Sequence, residues 1–131
     1  MTTGPGLIVD GNNVIGTTAD GWWRDRPAAA RRLLSRLQCY VETTAVPVVL
    51  VLDVPQPDLP GGFHGGVEVD YATRRGRNAG DDRILELLSQ AEGGGVEVVT
   101  SDRALAGAAA ERGAAVLGAR TFLDRISAAG C

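Results

Sequence analysis

The sequence has no lysine, and all 13 of its basic residues are arginine. An arginine-only set reads first as coding composition, but it still excludes chemistry: no Schiff-base lysine, no P-loop lysine and no lysine–serine dyad can exist here. Aromatic residues make up only 5% of the chain, so a core must be built from Val, Leu, Ile and Ala. Cysteine is limited to Cys39 and Cys131, far apart and without CxxC or zinc spacing. That pattern predicts two free thiols in a reducing compartment and no zinc site. No apolar run approaches the roughly 20 residues of a membrane span, and residues 1–6 lack the basic flank and apolar stretch of a signal peptide. The expected location is cytoplasmic, with no membrane partner. Charge of either sign is not in strong excess. The formal net charge of -3 does not by itself point to nucleic acid.

What is present is enough for one domain over residues 1–131, with an apolar fraction of 44%. Leu7-Ile8-Val9 is a short apolar run closed by the turn-rich Asp10-Gly11-Asn12-Asn13. Ala30, Leu33, Leu34, Leu37 and Val41 form one stripe of a helix predicted from Ala28 to about Thr43, with Pro27 in its first turn. Val48 to Leu52 is continuously apolar, as a strand buried on both faces should be. Residues 55–66 hold three prolines and four glycines and read as loop. Residues 66–71 alternate weakly, as an edge strand would. Asp81 to about Ala91 reads as helix, Val96 to Thr100 as strand, Arg103 to Arg112 as helix and Ala114 to Leu117 as a last strand. A final helix is expected with Thr121 as its cap and Asp124 in the capping-box position. Alternating strands and helices predict an α/β fold, a three-layer α/β/α arrangement with a mainly parallel sheet.

Three buried strands end in acid: LIVD at Asp10, VVLVLD at Asp53 and VVTSD at Asp102. In an open parallel sheet the carboxyl ends of the strands share one edge, and ligands bind where strand order reverses. If these strands are neighbours, about 4.8 Å apart, their carboxylates crowd one another and raise one another's pKa unless a cation intervenes. Hard oxygen ligands suit Mg²⁺ or Mn²⁺. Asp81 shares a helical stripe with Ile84, Leu85 and Leu88, so it should face the sheet. Each acid also has a structural alternative: Asp81 as a helix cap, the strand-end aspartates as Asx-turns.

The ordered segments VDGNNVIG, VVLVLD, NAGDDRILELL and VVTSDRAL resemble the motifs of the NYN domain family, in particular its YacP-like branch, within the PIN-like nuclease superfamily. The resemblance spans essentially the whole chain, and the GWWRDR stretch is similar to one bacterial subgroup. It implies a PIN-like fold and a metal-dependent ribonuclease, endoribonuclease-like, holding one or two Mg²⁺ or Mn²⁺ ions. Asp10, Asp81 and Asp102 would be the catalytic and metal-binding acids, Asp53 and Asp82 further metal-binding candidates, and Asn12 and Ser101 substrate contacts or orienting groups. The family's acidic pair is commonly Ala-Asp-Glu. Here Gly80 replaces the alanine, a change expected to be harmless, and Asp82 replaces the glutamate, one methylene shorter.

Arg74, Arg75 and Arg77 precede Asp81 and are expected to contact phosphate, offsetting the acids. Trp22 and Trp23 could stack on unpaired bases, although adjacent tryptophans before a helix commonly divide into one packed and one half-exposed. His64 reads as an incidental loop residue. RNA, single-stranded or structured, is the expected partner, with a homodimer admissible. A haloacid dehalogenase-type phosphatase would need Asp-x-Asp and usually a lysine, and a Rossmann domain a GxGxxG turn. Neither is present. A catalytically weak RNA-binding module on the same fold is the competing reading.

Overall fold

A computed structural model describes residues 6–18, 21–73, 76, 78–91 and 95–131. Arg74, Arg75 and Arg77, the proposed phosphate contacts, lie outside the described residues. The elements are β1 (Leu7–Asp10), α1 (Gly11–Gly16), α2 (Arg26–Thr44), β2 (Val48–Leu52), β3 (Gly62–His64), β4 (Val67–Tyr71), α3 (Ala79–Gln90), β5 (Glu97–Val99), α4 (Arg103–Glu111), β6 (Ala115–Leu117) and α5 (Ala119–Ala128). They form a six-stranded sheet in the order β3-β4-β2-β1-β5-β6. All pairings are parallel except β3 with β4.

The two-residue period of a strand sorts the apolar residues into two layers. Leu7, Val9, Leu50, Leu52 and Val99 pack with Val14 of α1, Leu33 and Leu37 of α2, and Phe122 and Ile126 of α5. Ile8, Val49, Val51 and Val98 pack with Ile84 and Leu88 of α3 and Leu105 and Ala109 of α4. Helices therefore cover both faces, which is why β1 and β2 are buried at every position.

Local chemistry sets the helix starts. Asp25 caps α2 by accepting the Ala28 N–H at 3.1 Å, with a proline in the first turn. Gly11 lets α1 begin directly on the sheet. A Cβ there would meet Leu52 Cδ2 at 2.7 Å and the Val51 carbonyl at 2.8 Å.

Several expectations are corrected. Of the turn-rich quartet, Asp10 ends β1, while Gly11, Asn12 and Asn13 open a six-residue helix rather than a loop; the asparagine side chains bond to other strand ends and leave the local backbone free to coil. The segment expected to be all loop contains β3, and β3 takes the edge place assigned to residues 66–71. Its backbone pairing with β4 prevails over the glycines. The last helix starts at Ala119, so Thr121 lies inside it and caps nothing. The free-thiol expectation also fails: Cys39 and Cys131 form a disulfide with Cα atoms 5.7 Å apart. The 92 residues between them hid the pair. Packing of α2 against α5, through Tyr40 and Phe122 with ring centroids 5.9 Å apart, brings them together. The thiol argument for a reducing compartment drops out with it. Among the described residues no helix is long and apolar enough to cross a membrane.

Candidate active site

β1 lies between β2 and β5, so the strand order reverses around it. This is the switch point at which open α/β sheets bind ligands, and the condition that the acid-bearing strands be neighbours is met. Strand parity then selects the face. Asp10 continues the side of Ile8, Asp53 that of Val49 and Val51, and Thr100 that of Val98, all on the α3 side. The N-terminal turn of α3 brings Asp81 and Asp82 to the same edge.

Asp10 is the most enclosed of these acids, 7% exposed. Its Oδ2 accepts the Thr100 hydroxyl at 2.8 Å. Burial pushes its pKa up to about 6; the Thr100 hydrogen bond opposes this, and the Asp81 and Asp53 charges add to it. Asp81 is raised by burial first, then by Asp102, Asp53 and Asp82. The Asp53 carboxyl is raised by its own desolvation although the residue is largely exposed. These mutual effects place Asp10, Asp53, Asp81, Asp82 and Asp102 in one electrostatic neighbourhood. Among the described residues, no arginine forms an ion pair with Asp10, Asp53 or Asp81.

The alternatives for individual acids resolve differently. α3 begins at Ala79 after Asn78, and neither Asp81 nor Asp82 caps it. Asp102 does cap α4, its Oδ1 accepting the Leu105 N–H at 3.1 Å. Thr100 Oγ1 accepts the Asp102 N–H at 3.1 Å while donating to Asp10. One buried hydroxyl thus ties two of the acids together.

Asn12 and Ser101, expected near substrate, make structural bonds. Asn12 Oδ1 accepts the Asp53 N–H at 2.9 Å, and Ser101 Oγ accepts the Ala119 N–H at 2.9 Å, serving the start of α5. Asn13 Oδ1 accepts the Ser101 N–H at 2.8 Å. The asparagine pair therefore clips the ends of β2 and β5 to either side of β1. The glycine at 80 is not neutral either. A Cβ there would collide with Asp53 Oδ1, so the Asp53 carboxylate occupies space that an alanine methyl would take.

Sequence reasoning missed Thr100 as a bridge, Asn13 as a clip and Asp70. Asp70 continues the α3 side of β4, and its Oδ2 accepts from Arg83 NH2 at 2.9 Å. Strand parity could have found Thr100 and Asp70, but not Asn13, which lies in α1. His64 lies on the edge strand β3, three strands from β1, with Nε2 2.6 Å from the Pro60 carbonyl. Trp22 packs on the core while Trp23 is 58% exposed, as adjacent tryptophans before a helix commonly divide.

The donor set is carboxylate oxygen, the chemistry that Mg²⁺ and Mn²⁺ prefer. Among the described residues no three such groups stand close enough to enclose an ion by themselves. An ion shared by several of these acids would therefore be held partly through water, as Mg²⁺ commonly is.

The family model described as YacP-like NYN domain matches residues 7–130. The chain belongs to this family. YacP-like NYN domains are PIN-like nucleases by family, and the fold agrees. The crystal structure of Rae1 (YacP) from Bacillus subtilis superposes with a TM-score of 0.78 at 24% identity, covering 95% of this chain and 74% of that one. The crystal structure of its W164L mutant gives 0.76 at 25% identity, covering 95% and 76%. No curated protein matches the chain.

Proposed function

We propose that this YacP-like NYN domain is a metal-dependent ribonuclease that hydrolyses RNA phosphodiesters at the Asp10 edge of the sheet. The observation that carries the proposal is Asp10 itself: a buried acid held near pKa 6 amid Asp53 and Asp81, with no arginine paired to it among the described residues. Such a grouping is costly unless a cation joins it.

Asp10, Asp81 and Asp102 are the proposed holders of Mg²⁺ or Mn²⁺, with Asp53 and Asp82 a step behind. The bound ion would supply a nucleophilic water at neutral pH and neutralise charge developing on the phosphate. The chain's own residues prepare that site. The Thr100 hydroxyl orients Asp10. Helix α4 takes one oxygen of Asp102 and leaves the other for a ligand. Asn12 and Asn13 fix the strand ends that carry Asp53 and Asp102. Arg74, Arg75 and Arg77 are proposed to meet the phosphate backbone, which the acids would otherwise repel.

The test is cleavage of end-labelled single-stranded and structured RNA with Mn²⁺, Mg²⁺ or EDTA, beside Asp10→Asn. Cutting should need the metal and vanish in the variant. Cutting that survives EDTA or Asp10→Asn sinks the metal mechanism. RNA retained on a filter without cutting would favour the binding module.

A further inference from the structure

On the α2 side of the sheet, the face opposite the acids, a cleft of about 320 Å³ opens between the start of α2 and the chain that follows β2, with Trp22, Arg26, Asn12, Val54, Pro55 and Gln56 in its lining. Gln56 Oε1 is shielded from solvent and has no hydrogen-bond partner. Buried carbonyl oxygens are normally satisfied, so this orphan would gain a partner if Gln56 turned its amide into the cleft. The residue is held in position, since the Leu59 N–H donates to the Gln56 carbonyl at 3.1 Å. Arg26 lies over the Trp22 ring, 5.3 Å from its centroid, so this part of the lining offers a planar cation beside an aromatic surface. The cleft adjoins the acidic edge: Asn12 lines it and also holds the Asp53 N–H, and Val54 follows Asp53 directly.

We infer that this cleft receives one nucleobase of the RNA strand, with the Gln56 amide turning into the cleft so that Oε1 accepts an N–H of the base, and with Arg26 beside the adjoining backbone. The inference rests on the RNA reading given above. A flat ring with an edge donor matches a mainly apolar cleft holding one unpaired acceptor, and arginine planes and aromatic rings are the usual surfaces for unpaired bases. An aliphatic ligand would fill the same space and leave the acceptor orphaned. The volume lies at the low end of small-molecule sites, about 300–1,000 Å³, which admits a single base and excludes a duplex. The site would therefore read one nucleotide of the bound strand.

Binding of the four nucleoside 5′-monophosphates to the full chain in EDTA, followed by tryptophan fluorescence and by NMR, tests this. At least one should bind saturably. Gln56→Met, close in size and without the acceptor, should weaken the tightest by about fivefold, the worth of one neutral hydrogen bond. Val54→Trp, at a position 70% exposed, should block the cleft and abolish binding; it carries the test should Gln56→Met fail to fold. No saturable binding, or binding unchanged in both variants, overturns the inference. RNA cleavage run in parallel separates it from the nuclease proposal. A Gln56→Met protein that cuts RNA with unaltered base preference defeats the cleft and leaves the nuclease standing. Mononucleotide binding lost in the variants of a chain that cuts nothing supports the cleft and defeats the nuclease.

Discussion

On the α3 side of the sheet, two aspartates lie at the carboxyl ends of parallel strands separated only by β2: Asp70 on β4 and Asp10 on β1. Both are shielded from water, and α3 serves both with opposite results. Arg83 brings a guanidinium to Asp70, with Nε at 3.2 Å and NH2 at 2.9 Å from the same oxygen. Asp81, two residues earlier and about 200° around the helix, brings another negative charge towards Asp10. Asp70 is a completed ion pair, an element of the scaffold. Asp10 holds only neutral hydrogen bonds, from Thr100 and the Asn13 backbone, and faces like charges, an arrangement that scaffold stability alone does not favour. The difference teaches that a strand-end acid is a site candidate when no basic side chain among the described residues answers it.

The sharpest way to break this contrast is to neutralise Asp10. Asp10→Asn should lower RNA cleavage by about 1,000-fold or more, several kcal/mol of lost charge stabilisation, without lowering the melting temperature in EDTA. A variant that melts much earlier would make Asp10 a scaffold residue like Asp70.

The next effect is pH-dependent. The folded-state pKa of Asp10, about 6, lies above its ordinary 3.8. The native state therefore binds the proton more tightly than the unfolded chain does. The associated stability is complete below about pH 4 and is lost as pH rises to about 6. The stability of wild type minus that of Asp10→Asn should fall across that window by on the order of 3 kcal/mol in EDTA. Mn²⁺ at pH 7 should restore much of the loss in wild type alone. A difference that is flat with pH, measured by chemical denaturation, would contradict the buried-acid description.

Arg83→Met should show the opposite profile. Stranding the half-buried Asp70 should cost roughly 1–3 kcal/mol, between the exposed and buried limits for ion pairs, while cleavage per folded molecule is kept. Thr100→Val should cost about 1–2 kcal/mol through the lost donor to Asp10 and the orphaned Asp102 N–H, and should move the Asp10 titration window upward. The smallest effect belongs to Gly80→Ala. Its methyl would displace the Asp53 carboxylate, the free end of a side chain, so stability should change by less than about 1 kcal/mol. Mn²⁺ affinity, read by calorimetry, should drop a few-fold if Asp53 assists the ion.

Much of this was legible before any coordinates. The apolar runs ending in Asp10, Asp53 and Asp102 announced buried parallel strands with an acidic edge, and the Asp81, Ile84, Leu88 stripe oriented α3. What escaped were pairings between distant or locally ambiguous segments. β3 is three residues long in a glycine-rich stretch, and its strand character comes from β4 rather than from its own sequence. Trp22 and the prolines after β2, Pro55 and Pro57, carried no visible relation, although they line one cleft.

The chain by itself determined the alternation of elements, the two-sided burial of the central strands and the residues at their ends, because periodicity and apolar length are local properties. Only the tertiary structure decided that β1 lies between β2 and β5, that Arg83 answers Asp70 while no arginine among the described residues answers Asp10, and that Cys39 meets Cys131. Each of these depends on which segments share a layer, and that is settled by packing both sheet faces at once, a condition no short stretch of sequence contains.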